Sequence, residues 1–158
     1  MEFDELKNAY NLFQKKYSLP GFEDLNSNFD IGKIERDSGN LLREVRRVMV
    51  EKVSHYLKLM ELMLNPSHAS PIFLILLKEI NSSDKQVLDK LFSAFIELEL
   101  SSHKLEVEYL ELNEVEFIKK IYGVWKDNKS ELIKLLSIFE RNWKNNSSKN
   151  NKSKGYFN

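Results

Sequence analysis

LLREVRRVMVEKVSHYLKLMELML, residues 41–64, decides the fold class. At about 100° per residue, Leu42, Val45, Met49, Val53, Tyr56, Met60 and Met63 fall on one stripe about 80° wide. Leu41, Val48 and Leu59 widen that stripe on one side, Val50 and Leu57 on the other. A stripe so broad touches several neighbours, so the stretch predicts the central helix of an all-α fold. The spacing places this helix from about Asn40 to Leu64, where Asn65-Pro66 stops it.

Working towards the N-terminus, Phe3, Leu6, Tyr10, Phe13 and Tyr17 recur at helical steps and predict a first helix over 3–17. Leu19-Pro20-Gly21 ends it. Between the two helices, Phe22, Leu25, Phe29, Ile31 and Ile34 read as anchors of a packed loop with a short helical turn.

Towards the C-terminus, Ser70-Pro71 restarts the chain with a cap residue and a proline at the first helical position. The third helix, Pro71–Ile80, is apolar nearly all round until Lys78. Such a helix is either buried or covered by a partner. Ser83 with Gln86 forms a capping-box pattern for a fourth helix, whose face is Leu88, Leu91, Phe92, Phe95 and Leu98. That face then turns polar at Glu99, Ser102 and Glu106. Residues 96–112 read as a continuous helix, a kinked helix or a hairpin, since Leu105 to Tyr109 alternates. Asn113 with Glu116, and Asn128 with Glu131, cap two final helices over 114–125 and 129–143. The expected architecture is one all-α domain of five or six helices over 1–144, with a disordered Asn/Ser/Lys tail over 145–158. Met49, Val53, Tyr56, Leu91, Phe92 and Phe95 are the expected centre of the core.

Composition narrows the function classes. The 158 residues carry 24 basic and 24 acidic side chains, a net charge of zero. That balance argues against wholesale binding to nucleic acid or anionic membrane, but not against a local patch. Charge is uneven: seven glutamates stand against Lys104 alone from Glu97 to Glu116, and four lysines without an acid follow from Lys144. The absence of cysteine excludes disulfides, zinc-thiolate sites and thiol catalysis. The start, MEFDELKNAY, is acidic and amphipathic, unlike a signal peptide. The longest apolar run, Pro71 to Leu77, is far short of a membrane span. A cytoplasmic protein with no membrane partner is the expectation.

Candidate site residues are few. Arg36, Arg43 and Arg47, with Lys58, lie opposite the apolar stripe, and Arg46 sits on its flank. They read either as a contact surface for an acidic partner or phosphate, or as a solvated face paired through Glu44 and Glu51. Glu51 with His55, and Glu99 with His103, place a carboxylate and an imidazole one turn apart. Their spacing differs from the Glu-x-x-His pattern of two-metal bundles, and Glu51 and His55 point away from the apolar stripe. No metal or cofactor is implied. The polar break at Glu99, Ser102 and Glu106 either pairs with Arg46 or Lys52, or marks a helix turning that face outward. No phosphate-binding loop, dinucleotide fingerprint or nucleophile elbow occurs, and no catalytic residue is assigned.

FDIGKIERDSGNLLREVRRVMVEKVSHYLKLMELMLNP (29–66), with EVEFIKKIYGVW (114–125), resembles a small helical archaeal family without an assigned activity. More distantly, the basic-flanked helix followed by Asn81-Ser82-Ser83-Asp84 is similar to the helical domain of archaeal GINS replication subunits. That second resemblance implies a small β domain, for which 96–112 is the available segment, and a place in replication machinery. The expected function is a non-enzymatic helical protein-interaction or scaffold subunit, docking an unidentified protein through a helix face and the arginine side. The alternative is a subunit of nucleic-acid machinery that contacts phosphates through Arg36, Arg43, Arg47 and the lysine tail.

Overall fold

The computed structural model describes residues 3–35, 39–68, 70–78 and 80–153. They form α1 (Phe3–Tyr17), α2 (Phe22–Phe29), α3 (Leu41–Leu64), α4 (Pro71–Leu76), α5 (Ser82–Val107) and α6 (Glu111–Ser153). Single 3₁₀ turns stand at Ile31–Lys33 and Pro66–His68. Among the described residues the protein is all-α, with no strand and no helix long and apolar enough to cross a membrane. The chain groups into two compact units. Unit 1 is residues Met1–Tyr56 with Ala94–Asp127, and unit 2 is Leu57–Ser93 with Asn128–Asn158.

Unit 1 is organised around Trp125. Its ring lies 5.3 Å from Phe29, 5.8 Å from Tyr56 and 6.3 Å from Phe95, so one side chain of α6 collects α2, α3 and α5. Its indole N–H is satisfied by Asn28 Oδ1 at 3.2 Å. The expected loop at 22–37 is instead the helix α2 and a 3₁₀ turn, and all five of its anchors are buried. The chain reverses between them at Asp30, which takes a left-handed conformation and returns its N–H to Asn26 O. Asn26 Oδ1 then accepts from Gly32 N at 2.7 Å. A Cβ at Gly32 would stand 2.8 Å from the Phe3 ring, so this turn needs glycine for lack of room. Tyr10 braces α1 from the other side, its hydroxyl donating to Pro20 O at 2.8 Å.

Unit 2 buries Leu57, Met60 and Met63 of α3, Leu88 and Leu91 of α5, and Leu132, Leu135 and Phe139 of α6. The box that opens α5 uses Asn81 and Asp84, not Ser83 and Gln86. Asp84 N donates to Asn81 Oδ1 at 2.8 Å, and Asn81 N returns to Asp84 Oδ2 at 3.4 Å. Helix α4 ends at Leu76, four residues before the expected Ile80, in a turn at Leu77 and Lys78.

A further boundary differs from expectation because polar residues alone do not stop a helix whose apolar phase continues. The two final helices are one, because Leu132 follows Trp125 by two turns and no glycine or proline intervenes. The helix also continues past Lys144 to Ser153, with the Ser147 and Ser148 hydroxyls donating to the Trp143 and Lys144 carbonyls. The rest of the expected tail, 154–158, lies outside the described residues. Residues 96–107 are helical, and the chain leaves the helix only at Glu108–Leu110, so 96–112 is not a hairpin.

Of the six expected core residues, Met49, Val53, Leu91 and Phe95 are buried, while Tyr56 and Phe92 are half-buried. Phe95 stacks on Trp125, so Phe95→Ala is expected to cost about 3–5 kcal/mol, read by urea denaturation. A loss under about 1 kcal/mol would remove Phe95 from the core.

Candidate functional site

Arg46 is the largest fully buried side chain among the described residues, 1% exposed, between core neighbours Val45 and Met49 on α3. A buried guanidinium is tolerated only when its donors are matched by acceptors and its charge by carboxylate. Here Nε donates to Glu114 Oε2 at 2.6 Å, Nη1 to Ser102 Oγ at 2.7 Å and Nη2 to Glu106 Oε1 at 2.7 Å. One side chain of α3 is thereby tied to α5 and α6 within unit 1.

The cluster extends outward by sharing. Arg47 forks onto Glu106, with Nε to Oε1 at 3.0 Å and Nη2 to Oε2 at 2.8 Å, and spends Nη1 on Glu44 at 2.9 Å. Glu106 therefore faces two guanidinium groups. Its hydrogen bond to Arg47, then that to Arg46, holds the carboxyl down at about 2, against the opposing effect of burial. The same fork raises Arg47 above its ordinary value. Glu114 is fully buried. Its second oxygen, Oε1, lies 3.8 Å from Arg43 Nε, and neither atom has a hydrogen-bond partner. Arg43 packs its guanidinium over the Tyr109 ring at 4.8 Å. Burial raises the Tyr109 phenol.

This arrangement corrects the reading of the arginines as one outward contact surface. Arg46 is interior, Arg47 is neutralised by two carboxylates, and Arg43 is mostly covered. Lys58 is exposed but belongs to unit 2, and Arg36 lies outside the described residues. The polar break resolves in favour of pairing, since Ser102 and Glu106 meet Arg46, while Glu99 accepts from Ser54 Oγ at 3.2 Å. Lys52 takes no part and instead lies 5.5 Å over the Trp125 ring. Glu114 is the member that the sequence reading missed. Its signal was a carboxylate on the stripe of Ile118, Ile121 and Trp125, a position that demands a buried cation. Chemically the cluster clamps helices, because a guanidinium keeps its proton and offers no acid–base step near neutrality.

The histidine pairs do not converge. Glu51 is held by Lys33 at 3.1 Å, His55 packs edge-on against Tyr56, and His103 is exposed. Among the described residues no three metal-binding side chains gather.

Unit 2 offers a different kind of surface. All six residues of α4 are apolar, PIFLIL, and none is buried. Ile72 is 55% exposed and Leu74 46%. A cleft of about 300 Å³ opens beside it, walled by Met63, Leu64, Leu77, Ile80 and Leu88. Asn142 Nδ2 holds the end of α4 through Leu76 O at 2.7 Å, and its neighbour Trp143 is half-exposed. No family model, curated protein or solved structure matches the chain.

Two predictions follow from the geometry of the cluster. Glu114→Leu strands the buried Arg46 and is expected to cost about 3–5 kcal/mol, whereas adding Arg46→Met recovers most of it in the double-mutant cycle of the two changes. Additive losses in that cycle would show that the two side chains do not act as a pair. The folded Glu106 carboxyl lies below its ordinary 4.5, so its stabilisation is complete above that pH and is lost as pH falls towards about 2. Glu106→Gln should flatten the acid limb of stability against pH in that window, and an unchanged limb would remove Glu106 from the clamp.

Proposed function

We propose that the chain is a non-enzymatic, cytoplasmic protein-interaction subunit that docks through helix α4. The observation that carries this reading is the exposure of α4 itself. From Asn65 to Leu77 no residue bears a formal charge at neutral pH with histidine neutral, and the six residues of the helix stay unburied. Isolated exposed apolar side chains are ordinary, but Ile72 and Leu74 stand exposed on a helix whose other large side chains, Phe73, Ile75 and Leu76, are only partly covered. A helix apolar on every side gains stability only when something covers it. The adjoining cleft supplies the concave half of a helix-docking surface.

The arginine side takes a supporting role in this reading. It sets the rigidity of unit 1, because Arg46 and Arg47 spend their donors inside the chain. Among the contacts of the nucleic-acid alternative, Arg47 already holds Glu44 and Glu106 where a phosphate would sit.

Ile72→Glu with Leu74→Glu tests the reading, because both side chains are exposed and the change should leave the melting temperature within a few degrees. Proteins retained by the immobilised wild-type chain should be absent from the double variant, as read by mass spectrometry. Identical retention by both would reject α4 as the docking element.

A further inference from the structure

The two units carry opposite charge. Unit 1 holds thirteen Lys and Arg against eighteen Asp and Glu, so its net charge is −5. Unit 2 holds eleven against six, so its net charge is +5. The neutral total of the chain hides this separation.

Each unit also exposes apolar side chains close together in sequence. In unit 2 they are Ile72 and Leu74 of α4, bounded by the exposed Lys78. In unit 1 they flank the turn between α5 and α6. Val107 is 89% exposed, Leu112 63%, and Leu100 and Leu110 about half. Leu100 and Val107 are two turns apart and share a face of α5. The exposed Glu108 follows Val107 in the chain. An apolar surface in a basic unit and an apolar surface in an acidic unit are complementary in both respects.

We propose that copies of this chain associate, α4 of one copy docking on the apolar edge around the α5–α6 turn of a second copy. The inference rests on the reading of α4 as a docking element and names its occupant. Pairing α4 with α4 would bring two +5 units together, and pairing edge with edge would bring two −5 units together. Only the unlike contact gains from both the apolar area and the charge. The interface is heterologous, since different surfaces of the two copies meet.

The full-length chain is tested by sedimentation equilibrium at about 50 mM and about 500 mM salt, where screening of surface charge differs several-fold in range. The wild type is expected to sediment at twice the 18.7 kDa monomer mass or more at low salt, and to dissociate as salt rises. Ile72→Glu with Leu74→Glu removes one surface, and Val107→Lys with Leu112→Lys removes the other. Each variant alone should be monomeric with an unchanged circular dichroism melting curve. An equimolar mixture should pair, because one variant keeps the edge and the other keeps α4. Association of the edge variant at wild-type strength would indicate α4–α4 pairing and overturn the proposal. A monomeric wild type at both salts would overturn it as well. If that monomer floats with phosphatidylserine vesicles, α4 is assigned to a membrane surface instead. If a foreign protein is lost with the α4 variant while the wild type is monomeric, the docking role of α4 stands and self-association falls.

Discussion

The buried contact between Arg46 and Glu114 is the constraint on which unit 1 depends. A guanidinium 1% exposed and a carboxylate fully buried are each unstable alone in a low-dielectric interior. Held at 2.6 Å, with Ser102 and Glu106 taking the remaining donors, they become a directional lock. The three-way fork adds directional hydrogen bonds to the packing, so it is satisfied in one register only. The lock is not complete. Arg43 Nε and Glu114 Oε1 face each other at 3.8 Å without a hydrogen bond, so the outer arginine contributes charge and its stack on Tyr109 more than geometry.

The two units solve the problem of stability differently. Unit 1 combines the aromatic cluster on Trp125 and the ionic lock with a core of buried aliphatic side chains such as Leu25, Leu42, Val53 and Ile118. Unit 2 relies on leucine, methionine and phenylalanine from segments of α3, α5 and α6, with Asn142 as its buried polar tie to α4. Methionine tolerates irregular contacts, and Met63 lines the cleft beside α4. Unit 1 is acidic and unit 2 is basic, and unit 2 exposes Ile72 and Leu74 of α4.

The helical class, the positions of α1 and α3 and the apolar anchors of α2 were legible because they depend on local sequence pattern. Phe3 to Tyr17 and Leu41 to Leu64 carry their phase within single segments, and the helices form over those residues. Helix ends were legible only where proline or glycine intervened. Asn128 was not such a place, and α6 passes through it because Trp125, Leu132 and Leu135 keep one face.

The amino-acid sequence by itself determined that the chain is helical, that Arg46 flanks an apolar stripe, and that Pro71 to Leu76 needs a cover. Only the tertiary structure decided that Arg46 is interior, because burial depends on which helices pack against α3. It also decided that Glu114, over sixty residues away in the chain, is the carboxylate that meets it. It decided equally that Ile72 and Leu74 of α4 stay exposed among the described residues, since hydropathy shows what a segment seeks and not whether the fold supplies it. Pairings distant in sequence are set by helix packing, which no single periodicity encodes.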